Sequence, residues 1–192
     1  MRPSLLALTA ALAIAAPLAA QTQSGQAGPA VAMMPAPAVG QAAPDFSAPW
    51  ADSTGVKATP ISLQSLRGNV VVLAFYPKDR SSGCTAELTK FRDEYATLFG
   101  PGVVVLPISI DSLDSHVGWA KDAHFPFGMI SDVNGDLAKK YGSVMAGRPY
   151  FNRTVFVIGK DGQITYSDMR FGALNQQAYD KLSAAIQSAK GN

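Results

Sequence analysis

At 192 residues the chain has room for one domain with a substantial core and little more. Its 16 basic and 14 acidic residues give a formal charge of +2, with no basic run and no interleaving of aromatic and basic residues, which argues against a nucleic-acid partner. One cysteine and two histidines supply too few soft or imidazole ligands for a zinc or iron site, so neither a metal nor another cofactor is expected.

The chain opens as a targeting segment. Arg2 precedes the apolar run from Leu5 to Ile14, and small residues follow Pro17 as far as Ala20, the pattern of a secretory signal peptide over residues 1–20. A membrane span needs about 20 apolar residues, and this run is shorter and broken by Pro17. Export to a bacterial periplasm with no stable span in the mature form is the expectation, with an uncleaved anchor as the weaker alternative. Residues 21–44 carry no charge and are rich in Ala, Pro, Gly and Gln. Such a stretch buries too little apolar surface to offset its ordering entropy and reads as a disordered leader, leaving residues 45–190 as the domain.

Phe46 to Leu66 shows weak periodicity and leaves room for a short hairpin. Val70 to Phe75 is a continuous β-branched and apolar run, the mark of a strand covered on both faces. A polar loop, Pro77 to Gly83, leads from it to Cys84. Cys84, Leu88, Phe91, Tyr95 and Leu98 then form one stripe of a helix running to about Phe99, stopped by Gly100-Pro101. Cys84 therefore stands at a helix N-terminus, where unpaired amides and the helix dipole favour thiolate over thiol, and on the apolar stripe, partly shielded from water. A single cysteine in an exported chain is a free reactive thiol or pairs between chains; the bland alternative is an inert core cysteine.

Val103 to Ile110 is a second buried strand, with an irregularity expected at Pro107, which lacks a donor. Asp111 or Ser112 caps a helix with Leu113, Val117 and Ala120 on its apolar face, weakened by Gly118. Phe127 to Ile130 reads as a short strand, and Asp132 to Gly142 as a turn and short helix with a glycine C-cap. Thr154–Ile158 and Gln163–Tyr166 flank Gly159-Lys160-Asp161-Gly162 as a hairpin, and Tyr179, Leu182 and Ile186 mark a last helix. His116 and His124 are expected at the surface or at helix ends. Trp50, Trp119 and the Phe125–Phe127 stretch are expected in packing. This order of elements predicts an α/β, thioredoxin-like fold: a central mixed β-sheet flanked by helices on both faces, with its site beyond the carboxyl ends of the strands, where the Pro77–Cys84 loop lies.

Pro77, Ser81 and Cys84 match the peroxiredoxin signature of proline, three residues, threonine or serine, two residues and cysteine. The run from Phe75 to Asp93 resembles the bacterioferritin comigratory protein (Q-type) branch of that family. The likeness extends over residues 39–190, through Val39–Phe46, Leu63–Gly68, Ser109–Ser112, Ser131-Asp132 and Arg153–Ile158. It implies a thiol-dependent peroxidase for hydrogen peroxide and organic hydroperoxides in which Cys84 is the nucleophile. Ser81 would hydrogen-bond the peroxide, Arg153 would point its guanidinium at the sulfur and the peroxide, and Pro77 would shield the site. The Gly83 amide and the Glu87 carboxylate would be secondary contributors. A fixed guanidinium fork suits that task better than a lysine point charge.

The chain departs from the family twice. Where two-cysteine members of the branch carry a resolving cysteine, five residues after the nucleophile, this chain has Thr89. The sulfenic acid on Cys84 would then need an external thiol, from a thioredoxin-like protein or a low-molecular-weight thiol. Ser81-Ser82 stands where Thr-Pro is usual; serine keeps the hydroxyl but loses the methyl that restricts its rotamers, which predicts a somewhat lower rate. A thioredoxin-type oxidoreductase would need C-x-x-C, absent here. The alternative from another class is an exported thioredoxin-fold binding or chaperone module whose thiol forms mixed disulfides.

Overall fold

The computed structural model describes residues 35–191. The signal peptide expected over residues 1–20, and the leader as far as residue 34, lie outside the described residues. The strands are β1 (Ser47–Ala48), β2 (Trp50–Asp52), β3 (Gly55–Val56), β4 (Ile61–Ser62), β5 (Val70–Phe75), β6 (Val103–Ser109), β7 (Met129–Ser131), β8 (Thr154–Ile158) and β9 (Ile164–Asp168). The helices are α1 (Ser82–Asp93), α2 (Tyr95–Leu98), α3 (Leu113–Asp122), α4 (Asp136–Lys140) and α5 (Gln176–Gly191). Among the described residues no helix is long and apolar enough to cross a membrane.

The main sheet has the order β3-β2-β7-β6-β5-β8-β9, with β5, β6 and β7 parallel and the other pairs antiparallel. β1 and β4 form a separate two-stranded ribbon. β5 lies between β6 and β8, and its alternating side chains feed two cores. Val70, Val72 and Ala74 face Cys84, Leu88, Phe91, Trp119, Tyr179 and Leu182, under α1, α3 and α5. Val71, Leu73 and Phe75 face Leu137, Tyr141, Phe151 and Phe156, on the side covered by α4. This is the thioredoxin-like mixed sheet with helices on both faces, and it explains why β5 is apolar at every position.

Three local readings differ from the structure. The ladder between β5 and β6 runs without a bulge through Pro107, opposite Ala74. The Ile108 carbonyl accepts from Tyr76 N–H at 3.0 Å on the β5 side, so the nitrogen of Pro107 points the other way, where β7 joins the sheet only at Ile108. The missing donor thus faces no ladder position. The helix expected to reach Phe99 breaks at Glu94 (φ −103°, ψ 17°) and resumes as α2. The aromatic stripe survives the break: Phe99 packs on Phe91 at 5.2 Å between centroids and Tyr95 on Phe127 at 6.2 Å.

The third difference concerns residues 38–44, expected as part of the disordered leader. Gly40 N–H donates to Ile164 O (2.8 Å), Ile164 N–H to Gln41 O (2.8 Å) and Ala43 N–H to Gly162 O (3.0 Å), while Ala43 is buried in the core beneath α4. The segment is ordered because the turn beyond β8 offers backbone partners, which composition does not disclose. A chain starting at Asp45 is expected to lose about 2 kcal/mol of stability, the net value of a few hydrogen bonds. An unchanged urea midpoint would show that the segment contributes nothing.

Candidate active site

Cys84 is the third residue of α1 and is fully buried. The helix ladder begins with Thr85 N–H donating to Ser81 O at 2.8 Å, so the amides of Ser82, Gly83 and Cys84 stand ahead of the first ladder bond. Arg153 reaches the sulfur from the residue before β8. Its Nη2 donates to Cys84 Sγ at 3.3 Å, and its Nη1 forms an ion pair with Glu87 Oε2. One guanidinium thus spans the cysteine and the carboxylate one helical turn later. Gly83 makes room for it: a Cβ built there would lie 3.2 Å from Arg153 Nη2.

Glu87 is fully buried, and its second oxygen, Oε1, has no hydrogen-bond partner among the described residues. Burial pushes its carboxyl up from the ordinary 4.5 to about 7, with the charge and hydrogen bond of Arg153 acting the other way. Burial also opposes the charge on Arg153, but the Glu87 carboxylate and the Cys84 sulfur hold the guanidinium above its ordinary value. Tyr179, buried nearby with its hydroxyl on Ala173 O at 2.7 Å, is raised by burial and by the Glu87 charge.

The structure gathers Cys84, Gly83, Glu87 and Arg153 at one point. Ser81 is the N-cap residue of α1 without capping it: its hydroxyl donates to Lys78 O at 3.1 Å, and its oxygen retains accepting capacity. Pro77 is half-buried where the chain leaves β5, and Thr89 is half-buried on α1.

The loop between β5 and α1 is anchored by a polar network that the sequence reading missed. Asp79 is buried within it. Its Oδ1 accepts from Tyr76 OH (2.6 Å), its Oδ2 accepts from Ser115 Oγ (2.6 Å), and His116 Nδ1 lies 3.0 Å from Oδ2. The Asp79 amide donates to Asp111 Oδ2 (2.8 Å), which also accepts from Ser109 Oγ (2.8 Å). Burial raises the Asp79 carboxyl, and His116, Ser115 and Tyr76 more than offset this, so it lies below its ordinary value. His116, expected at the surface or a helix end, is completely buried; His124 is exposed just beyond α3. The signal available was the spacing of His116 with Trp119 and Ala120, which form the observed buried face of α3 in place of Leu113, Val117 and Ala120. Trp119, Phe125 and Phe127 pack in series at 5.2 and 5.0 Å, as expected.

The family model described as AhpC/TSA matches residues 39–167. A Coxiella burnetii protein assigned by name to the bcp peroxiredoxins is 38 % identical over 133 residues, covering 66 % of this chain and 85 % of the relative. The chloroplastic peroxiredoxin Q of Sedum lineare is 35 % identical over 114 residues, 57 % of this chain and 60 % of that one. The solved structure of Xanthomonas campestris peroxiredoxin Q superposes with a TM-score of 0.64 at 27 % identity, covering 74 % of this chain and 91 % of its own. The chain belongs to the AhpC/TSA family and is a peroxiredoxin, a thiol-dependent peroxidase. Within that class it stands in the bacterioferritin comigratory protein, or Q-type, branch, and with one cysteine it lacks a resolving partner.

Glu87 links the site to stability. Between about 4.5 and about 7 the folded chain holds a proton there that the unfolded chain releases. The stability associated with the protonated group is fully present below about 4.5 and is lost as the pH rises through about 7. Glu87→Gln cannot ionise, so its unfolding free energy is expected to fall less than that of the parent chain across this window. Equal changes in both chains, measured by urea unfolding, would show that Glu87 ionises as an exposed carboxylate does.

Proposed function

We propose that the chain reduces hydrogen peroxide and organic hydroperoxides through a sulfenic acid on Cys84, and that an external thiol completes the cycle. The observation that carries this reading is the Arg153 guanidinium shared between Cys84 Sγ and the buried Glu87 carboxylate. The guanidinium stands against the sulfur, the atom that attacks the peroxide. As the S–O bond forms and the O–O bond breaks, negative charge moves from the sulfur to the departing oxygen, which leaves as hydroxide or alkoxide and takes up a proton. Arg153, held on one side by Glu87, and the amides of Gly83 and Cys84, which precede the first ladder bond of α1, supply fixed donors along that path. Ser81 hydrogen-bonds the peroxide through its hydroxyl, and Pro77 forms a donor-free wall.

The sulfenic acid next condenses with an incoming thiol, releasing water and leaving a mixed disulfide, and a second thiol displaces Cys84. A thioredoxin-like protein or a low-molecular-weight thiol fills this role, since Thr89 occupies the place of a resolving cysteine. A signal peptide over residues 1–20 would direct this chemistry to a bacterial periplasm, a reading that rests on the basic start, the short apolar run and the small residues that end it.

The test mixes reduced protein with sub-stoichiometric hydrogen peroxide and excess free cysteine, then traps sulfenic acid at Cys84. Cys84 is expected to outcompete the free thiol by orders of magnitude, and failure to do so removes the peroxidase reading. Arg153→Ala should slow oxidation by about 10²-fold or more, the size of a lost transition-state donor. Unchanged kinetics would exclude Arg153 from the site.

A further inference from the structure

Ser143 and Thr154 are fully buried, and the peroxidase chemistry uses neither hydroxyl. Ser143 follows α4, and Thr154 opens β8 opposite Phe75, in the end rung of the ladder with β5. The two side-chain oxygens are 2.6 Å apart, so one hydroxyl donates to the other, and Ser143 Oγ also lies 3.4 Å from Tyr141 O. Buried hydroxyls need such partners, because a dry site offers no water in exchange.

Ser143 makes a second bond to the same stretch of chain. Its carbonyl oxygen accepts from Asn152 N–H at 2.6 Å. One residue therefore grips both neighbours of Arg153, Asn152 through the backbone and Thr154 through the side chain. Ser143 is itself fixed, its amide donating to Ala138 O at 2.8 Å. From the other direction the Arg153 carbonyl accepts from Phe171 N–H at 3.0 Å, and the Phe171 ring packs on Tyr179 at 5.1 Å between centroids. Arg153 stands one residue beyond the ladder between β5 and β8, so these bonds take over where the sheet ends.

Successive residues of an extended chain point to opposite faces. Arg153 reaches Cys84 and Glu87 on α1, while Thr154 reaches Ser143 at the end of α4. An arginine side chain is long and rotamer-rich. Glu87 and Cys84 hold its tip, and the bond to the sulfur at 3.3 Å also requires its root to be placed.

We propose that Ser143 is a positioning residue for the peroxidase reaction: it staples the chain on either side of Arg153 and thereby sets the guanidinium against Cys84 Sγ. This rests on Cys84 being the peroxide-reactive thiol and on Arg153 acting at it. Removal of the Ser143 hydroxyl leaves that of Thr154 without its partner in a dry site, which favours movement at the start of β8.

The experiment measures the second-order rate constant of Cys84 oxidation by hydrogen peroxide in the full chain, Ser143→Ala, Arg153→Ala and the double variant. Ser143→Ala is expected to lower the rate constant by about 10-fold, within the loss that a small misplacement of a positioned group causes. The effect must pass through Arg153: in the Arg153→Ala background the same serine substitution is expected to change the rate by less than about twofold. Equal losses in both backgrounds would mark a general structural defect and overturn the proposal, as would an unchanged rate in Ser143→Ala.

Thr154→Val and Thr154→Ser read the other end of the staple. Valine keeps the branched shape without the hydroxyl and should match Ser143→Ala, whereas serine keeps the hydroxyl and should retain most of the parent rate. Equal rates in these two variants overturn the proposal, even where Ser143→Ala fails to fold. An unchanged rate in Arg153→Ala would remove the role of the arginine, and that of Ser143 with it. Failure of Cys84 to oxidise in the parent chain would instead overturn the peroxidase reading itself.

Discussion

A carboxylate with no access to water organises the centre of this molecule. Glu87 is completely buried, one of its oxygens has no partner among the described residues, and its charge is compensated by a single guanidinium. A buried charge without a partner is costly by several kcal/mol, so Arg153 is held where Glu87 needs it. The same guanidinium then has its second nitrogen on Cys84. The position of the cation at the sulfur is thus set by a residue that does not touch the sulfur. Glu87 and Cys84 are three residues apart on α1, so the helix itself measures the separation between the two anchors.

The frame around this triad explains why it is rigid. β5 is buried at every position and delivers the loop from the middle of the sheet, while β8, its antiparallel neighbour, starts immediately after Arg153. The two strands therefore fix both sides of the site through one ladder. The loop between them and α1 is tied to α3 and β6 through Asp79 and Asp111. Polar groups in such a network are satisfied jointly, and its members act as one unit.

Much of this was legible in the amino-acid sequence because it depends on local pattern. The strands Val70–Phe75 and Val103–Ser109, the hairpin after Thr154 and the stripe Cys84, Leu88, Phe91 all follow from periodicity. The pairing of Cys84 with Arg153 spans 69 residues and was legible only through family resemblance. The contact between Asp79 and His116 was not legible. Asp79 lies in a polar loop, His116 lies on a helix whose apolar face was set one residue out of phase, and nothing in either segment announces the other. Pro107 shows the reverse case: its local rule was sound, but the consequence depended on where β7 begins. The ordering of residues 38–44 likewise depends on backbone partners more than 100 residues away, invisible to composition.

Gly83 has a further implication for which sequences can carry this site. A Cβ at this position would sit in tight contact with Arg153 Nη2, which lies against the first turn of α1. The guanidinium is tethered to Glu87 through its other nitrogen, so a methyl group at position 83 would press on Arg153 Nη2 and ask it to give by a few tenths of an ångström. Such a chain would retain its cysteine and its charges, with the contact of Arg153 on the sulfur as the feature under pressure. The silent glycine beside the cysteine thus belongs to the packing of the site, next to the arginine it faces.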